Sequence, residues 1–115
     1  MPIVGRASPD AGDVLWVEYG LPVGHEQGGR RPNLIVTSRA YNERSSILIV
    51  CPISRKGGGW PFAVEITPVG RLQGFVLLDQ IRAIDPVARF CRYAGKVSDD
   101  CLALVRSRLA GLLTS

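Results

Sequence analysis

Two polar, basic segments of this sequence lie directly beside strongly apolar ones. One runs from Gly24 to Pro32 and the other from Pro52 to Lys56. Since each adjoins a predicted strand, both can be held firmly at the end of a sheet, where binding and catalytic groups commonly lie. An arginine grips phosphate oxygens with a planar, permanently charged guanidinium group, and a hydroxyl donates one further hydrogen bond. Brought together, the two could stabilise negative charge on a phosphodiester oxygen.

The sequence offers little for other catalytic chemistries. His25 is the single histidine, so a Ser-His-Asp or Cys-His arrangement would depend on it, and there is no nucleophile elbow, P-loop or dinucleotide motif. Cys51, Cys91 and Cys101 form no C-x-x-C pair and have no histidine at metal-ligand spacing. Apart from Asp99–Asp100 the acidic residues are scattered, so the converging carboxylates of a two-metal nuclease are missing. We therefore expect neither a metal nor another cofactor.

The size and charge of the chain limit its architecture and its partners. With 115 residues, 46% of them hydrophobic, we expect one compact domain over residues 1–115, with 1–11 as a poorly ordered extension. The 14 basic residues outnumber the 10 acidic ones, and the resulting net charge of +4 suits a nucleic-acid partner and equally suits an ordinary solvated surface. The sequence contains no signal-peptide or membrane-span pattern, and its few unpatterned cysteines fit a reducing compartment. These features predict a cytoplasmic protein.

The apolar pattern predicts six or seven short strands followed by one helix. The predicted strands are Asp13–Tyr19, Asn33–Thr37, Ser46–Ile53, Phe62–Ile66, Gly74–Leu78, Ile81–Ile84 and Phe90–Ala94. Ser38–Arg44 is expected to hold a short helical turn. Near the C-terminus Ser98 is a good N-cap, and apolar residues then recur at helical spacing from Leu102 to Leu112. The predicted fold is mainly β, a small twisted barrel or open antiparallel sheet with one C-terminal α-helix.

Several short motifs between Gly12 and Leu113 occur together in a recognisable order and spacing. They are Gly12-Asp13-Val14-Leu15-Trp16-Val17, Gly24-His25-Glu26-Gln27 with Arg31-Pro32, Tyr41-Asn42, Pro52-Ile53-Ser54, Pro61-Phe62 and Asp79-Gln80-Ile81-Arg82. By these motifs the chain closely resembles the MazF/PemK family of toxins from bacterial toxin–antitoxin pairs. The resemblance implies an SH3-like barrel with a C-terminal helix, assembled as a homodimer.

The resemblance also implies an activity and two catalytic residues. It indicates a sequence-specific endoribonuclease (an mRNA interferase) that cuts single-stranded RNA without a metal, leaving a 2′,3′-cyclic phosphate and a 5′-hydroxyl. The family's arginine before the proline corresponds to Arg31, which would neutralise the negative charge that develops on the phosphorane and could help to protonate the leaving 5′-oxygen. The hydroxyl residue two places after the second motif's proline corresponds to Ser54, where most relatives have threonine. Either Glu26 or His25 could take the 2′ proton.

Further residues are candidates for contacts with RNA, and each has a structural alternative. The candidates are Gln27, Arg30, Arg55, Lys56, Trp60 and Gln80. Arg31 could instead pair with Glu26 on the surface, Ser54 could be an ordinary strand-end serine, and the turn after it could simply be solvated. Trp16, within a strand, is expected in the core, whereas Trp60 follows three glycines and is better placed to stack on an unpaired base.

Partners and competing functions follow from the same resemblance. A MazE-like antitoxin would lay an acidic, extended tail into the toxin's basic groove, and DNA would be bound only indirectly, through that antitoxin. The alternatives are a CcdB-like poison of DNA gyrase and a non-catalytic nucleic-acid-binding module on a related barrel. The pair Arg31 and Ser54 favours the nuclease, because a gyrase poison does not need it.

Overall fold

The computed structural model describes residues 8–20, 24–25 and 29–115. Within these residues the elements are β1 (Asp13–Glu18), β2 (Arg30–Ile35), α1 (Arg39–Ser45), β3 (Leu48–Ser54), β4 (Ala63–Glu65), β5 (Phe75–Leu77), β6 (Arg82–Ile84), β7 (Cys91–Lys96) and α2 (Asp99–Thr114). A short 3-10 turn at Leu78–Gln80 precedes β6. The predicted mainly β fold with a C-terminal helix is confirmed, and the predicted helical turn after β2 is α1.

The strands form one antiparallel sheet with β3 at its centre. The strand order is β4-β5-β3-β2-β1-β7, and β6 also pairs with β3. One edge of β3 pairs with β2, while the other edge is shared by β6, opposite Leu48–Val50, and β5, opposite Ile53 and Ser54. The last residues of β3 are therefore held between two neighbouring strands.

β2 begins three residues earlier than the sequence predicts. The prediction started the strand at Asn33, with Pro32 as its first residue at most, whereas β2 starts at Arg30. The cause lies in β1, which extends to Glu18 and pairs with Arg30, as Val17 pairs with Arg31. Arg31 is thus part of a hydrogen-bonded strand and not of the preceding loop.

Both faces of the central strands are buried, in two separate apolar clusters. One face packs against α2, whose Val105 and Leu109 are buried there beside Val14, Leu34, Cys51 and Ile53. The other face is covered within the sheet itself, by Leu15, Val17, Ile35, Leu48, Val50 and Ile84. Because neighbouring strand residues point to opposite faces, a strand buried on both sides must be largely apolar, and the nearly continuous apolar run of β3 agrees with this.

Helix α2 begins as its sequence predicts. The hydroxyl oxygen of Ser98 accepts a hydrogen bond from the backbone N–H of Cys101 at 3.1 Å, which satisfies one of the free donors at the helix start. Arg106 donates to the Val36 carbonyl oxygen at 2.8 Å from Nη2 and 3.0 Å from Nε, and so attaches α2 to the end of β2. In the described ranges, no helix has the length and apolar character needed to cross a bilayer.

A polar network fills the end of the sheet beside α1. Asn42 is fully buried; its Nδ2 donates to the carbonyl oxygens of Pro9 and Thr37 at 2.9 and 3.0 Å, and its Oδ1 accepts from the Thr37 hydroxyl at 2.6 Å. Arg39 donates to the Ser8 carbonyl oxygen at 3.0 Å. Residues 8–10 of the predicted N-terminal extension are thus in contact with α1, while 1–7 lie outside the described residues.

Candidate functional site

A cavity of about 500 Å³ opens where β2 begins and β3 ends. Arg31 and Ser54, the two predicted catalytic residues, both line it. The rest of its wall comes from β1, β2, β3, the turn after β3 and the β4–β5 hairpin, through Trp16, Arg30, Pro32, Ile53, Arg55, Lys56, Leu72 and Gln73. We call this cavity the Ser54 groove.

Strand register explains why Arg31 and Ser54 line the same groove. Asn33 lies opposite Pro52 in the β2–β3 pair. Continued by two residues toward the groove, the same register sets Arg31 opposite Ser54, and opposed residues of an antiparallel pair are close neighbours. On its other side Ser54 lies opposite Phe75 of β5. The backbone position of Ser54 is therefore fixed by its pairing with β5, two residues beyond the last β2–β3 pair.

The Ser54 hydroxyl is oriented and still has its proton to donate. The residue is 8% exposed, and its Oγ accepts a hydrogen bond from the backbone N–H of Lys56 at 3.1 Å. Because Oγ is the acceptor in that bond, the hydroxyl proton remains for a second partner. A phosphate oxygen in the groove is an acceptor of the kind that such a donor binds strongly.

The backbone of Arg31 is attached to a buried polar network. Asn33 is fully buried; its Nδ2 donates to the Arg31 carbonyl oxygen at 2.9 Å, and its Oδ1 accepts from the Tyr19 hydroxyl at 2.7 Å. Burial raises the pKa of Tyr19 to about 12 despite two neighbouring positive charges, so its hydroxyl remains a donor. The guanidinium carbons of Arg82 and Arg89 lie 4.3 and 5.2 Å from the Tyr19 ring centroid. This network holds the strand from which the exposed Arg31 side chain extends.

Positive charge dominates the groove. Arg55 and Lys56 are exposed on the turn after β3, and with the part of the chain that the structure describes neither makes an ion pair or a side-chain hydrogen bond. Arg30 differs, since its Nε lies 3.5 Å from the Glu18 carboxylate and its guanidinium 5.6 Å from the Phe90 ring centroid. An anionic chain entering the groove would therefore meet the positive charges of Arg55 and Lys56, which no described acid compensates.

Sequence reasoning missed Trp16, Leu72 and Gln73 as groove residues. Trp16 was predicted in the core, and this is wrong: it is only half-buried and lines the groove. It lies opposite Pro32 in the middle of the β1–β2 pair, and on its face of β1 burial decreases from Val14 through Trp16 to the exposed Glu18. Gln73 reaches the groove from the β4–β5 hairpin, and no local sequence pattern indicates a contact between segments so far apart.

Two predicted RNA contacts lie elsewhere. Trp60 is 48% exposed and packs edge-on against Phe62, with ring centroids 5.4 Å apart, but it does not line the groove. Gln80 lines a separate cavity of about 290 Å³ together with Tyr19 and Arg82. The structure therefore brings together only part of the predicted set.

The loop before β2 is described only in part. His25 is exposed, while Glu26 and Gln27 lie outside the described residues, so their predicted roles are untested. Over the described ranges no three His, Cys, Asp or Glu side chains form a cluster that could hold a metal ion. Cys51 is fully buried, and burial raises the pKa of its thiol to about 12.

Comparison with known proteins gives a consistent result. The sequence profile of the family described as "PemK-like, MazF-like toxin of type II toxin-antitoxin system" matches residues 10–113. The endoribonuclease toxin MazF of Escherichia coli is 31% identical over 111 residues, which cover 96% of this chain and 99% of that protein.

Solved structures agree with the sequence matches. The crystal structure of MazF from Deinococcus radiodurans superposes with a TM-score of 0.84 at 35% identity, covering 96% of this chain and 100% of that one. In the MazE–MazF complex of the same organism, the matching chain has a TM-score of 0.81 at 33% identity, with coverage of 94% and 98%. The predicted fold and the predicted assignment to a family of endoribonuclease toxins are confirmed. The chain belongs to the PemK-like, MazF-like toxins of type II toxin–antitoxin systems.

Proposed function

We propose that this protein is an endoribonuclease that cuts single-stranded RNA at specific short sequences without a metal ion. The observation that carries the proposal is that Arg31 and Ser54, contributed by adjacent strands, line one open cavity. The relatives' names support the reaction class, because the similar protein of Escherichia coli is an endoribonuclease toxin.

The proposed reaction uses the substrate's own nucleophile. The 2′-oxygen attacks the adjacent phosphorus, the bond from phosphorus to the 5′-oxygen breaks, and the products carry a 2′,3′-cyclic phosphate and a 5′-hydroxyl. The Arg31 guanidinium neutralises the charge that develops on the phosphorane oxygens, and the Ser54 hydroxyl donates to a non-bridging oxygen. Because both groups start from paired strands, little reorganisation is needed when the charge appears.

Two protons must also move. The 2′ proton goes to a base, and the leaving 5′-oxygen receives a proton, for which Arg31 is a candidate donor. A guanidinium group is a poor base at neutral pH, so the acceptor of the 2′ proton is assigned to the loop before β2. His25 and Glu26 are the two candidates there.

We further propose that a MazE-like antitoxin neutralises the protein. The solved MazE–MazF complex gives the precedent for such a partner, and the exposed charges of Arg55 and Lys56 in the Ser54 groove, unpaired within the described part of the chain, suit an acidic, extended segment. Binding should weaken as salt increases. We propose a homodimer in the cytoplasm as the working form, which binds DNA only through the antitoxin.

The test incubates purified protein with a long single-stranded RNA in excess EDTA. We expect discrete fragments whose 5′ ends are labelled by polynucleotide kinase without prior phosphatase treatment, as 5′-hydroxyl ends are. A second RNA, with one 2′-deoxynucleotide on the 5′ side of a mapped cut, should resist cleavage at that position alone. Intact RNA in EDTA, together with trapped gyrase–DNA complexes, would show that the protein is a gyrase poison and not a nuclease.

A further inference from the structure

A second cavity continues from the Ser54 groove along the β4–β5 hairpin. It measures about 440 Å³ and shares Arg55 and Gln73 with the groove. Beyond these shared residues it is lined by Glu65, Arg71, Gly74 and Phe75. We call this second cavity the hairpin cavity. A chain leaving the groove past Arg55 would enter it directly.

The hairpin cavity has a fixed position relative to Ser54. Phe75 pairs with Ser54 across β5 and β3, and with Glu65 across β5 and β4. Next to Phe75, a β-carbon built on Gly74 would lie 2.6 Å from the Ser54 carbonyl oxygen, so only glycine allows the hairpin to approach this closely. Whatever binds at Ser54 therefore meets the hairpin at a constant distance.

Charge in the two cavities is strongly one-sided. Five basic side chains line them, and the single acid among the lining residues is Glu65; the five are Arg30, Arg31, Arg55, Lys56 and Arg71. Arg71 is exposed, and with the residues in the described ranges it forms no ion pair or side-chain hydrogen bond. Basic side chains in excess over acids repel one another, and a polyanion bound there relieves that repulsion and releases its counterions.

We propose that the RNA strand runs from the Ser54 groove into the hairpin cavity, where Arg71 binds a phosphate on one flank of the cut. This inference rests on the proposed nuclease function and extends its binding site beyond the scissile phosphate. Phosphate contacts fix the position of a strand without reading its bases. Arg71 therefore holds long substrates in place and does not take part in bond cleavage.

The experiment measures binding of two RNAs made uncleavable by a 2′-deoxynucleotide at the mapped cut. The short RNA contains only the recognition sequence, and the long RNA extends it by several nucleotides on both sides. We expect Arg71→Ala to weaken binding of the long RNA by about tenfold and of the short RNA by less than twofold. For the long RNA, the slope of the logarithm of the binding constant against the logarithm of the salt concentration should become less negative by about 0.7 in Arg71→Ala. This is the value, about 0.7, for one phosphate contact on a single strand.

Two matched variants complete the design. Arg44→Ala removes an exposed arginine from α1, at the opposite end of β2 and β3, and should leave both affinities and the slope unchanged. Arg71→Lys keeps the charge and should retain the wild-type slope. Equal weakening of both RNAs by Arg71→Ala, or none for the long RNA, overturns the proposal. Either result is distinguishable from failure of the proposed nuclease function. In that case the wild-type protein would leave RNA uncut, and Arg31→Ala would not alter the amount of RNA cleaved.

Discussion

The two ends of β2 and β3 are built from similar polar residues used in opposite ways. At the α1 end, arginine and asparagine side chains are engaged with backbone: Arg39 donates to Ser8, and Asn42 to Pro9 and Thr37. At the groove end, Arg55 makes no ion pair or side-chain hydrogen bond with described residues. Polar residues thus complete the fold at one end and face solvent at the other.

Two buried asparagines show the same contrast. Asn42 and Asn33 are both fully buried. Asn42 holds the N-terminal segment against α1, so its hydrogen bonds serve the fold. Asn33 holds the carbonyl oxygen of Arg31, so its hydrogen bonds also determine where a proposed catalytic side chain starts. The hydrogen-bond partner of a buried polar group, and not its burial, therefore indicates whether the group serves the stability of the fold or the position of a functional residue.

Replacing Asn42 with alanine should affect the α1 end alone. The change leaves the Pro9 and Thr37 carbonyl oxygens without their donor, and we expect a loss of about 2–4 kcal/mol in the free energy of unfolding. Urea denaturation measures this loss, and RNA cleavage per folded molecule should stay at the wild-type rate. A slower rate at unchanged stability would break the distinction between the two ends.

A serine from each end gives a matched pair. Ser54→Ala should slow cleavage by about ten- to a hundredfold with little change in KM, since it removes a donor to the transition state. Ser45→Ala removes a hydroxyl that bonds the backbone of Ile47 and should cost about 1 kcal/mol of stability without slowing cleavage. Single-turnover cleavage rates and urea midpoints of unfolding, measured for both variants, test these expectations. Ser54→Thr, which keeps the hydroxyl, should retain activity. Full activity of Ser54→Ala would remove this serine from the proposed mechanism.

Tyr19→Phe should have a smaller effect, of about three- to tenfold on kcat. The ring and its two stacked arginines remain, but Asn33 loses the donor to its Oδ1, so the backbone of Arg31 is held less firmly. Because Tyr19 acts through Arg31, the same substitution should cost almost nothing when Arg31 is already lysine. A double-mutant cycle of cleavage rates tests this. An equal factor in both backgrounds, or an increase in KM alone, would show that Tyr19 does not position Arg31.

The buried thiols should be the least responsive groups. Burial raises the pKa of Cys51 to about 12 and that of Cys91 to about 11 from an ordinary 9.0. The folded protein should therefore resist alkylation at pH 8, and cleavage should be unaffected by the reagent. Above about pH 9 the unfolded chain releases these protons first, so the free energy of unfolding should fall as pH rises. Rapid alkylation of Cys51 in the folded protein, measured by mass spectrometry, would contradict its burial.

Local patterns predicted most of the fold. The helical period and the Ser98 N-cap located α2, and the continuous apolar run located β3, because both signals lie within one segment. The start of β2 was wrong because it depends on the register in which β1 pairs with Arg30 and Arg31, which is not a local property of either segment. The groove was predicted only in part for a similar reason: Trp16 lies where the apolar cover ends, and Gln73 arrives through a hairpin whose approach to Ser54 depends on tertiary packing.

The most direct measurement compares Arg31→Ala with Arg44→Ala on a long single-stranded RNA in EDTA, with stability measured in parallel. Each variant removes one exposed arginine: Arg31 at the groove end of β2 and β3, and Arg44 in α1, beside the other end of these strands. We expect Arg31→Ala to slow cleavage by a hundredfold or more, because loss of a transition-state donor typically costs about 10²–10³ in rate. Its urea midpoint of unfolding should equal that of the wild type. Arg44→Ala should cleave at the wild-type rate. Normal cleavage by folded Arg31→Ala protein would contradict the account.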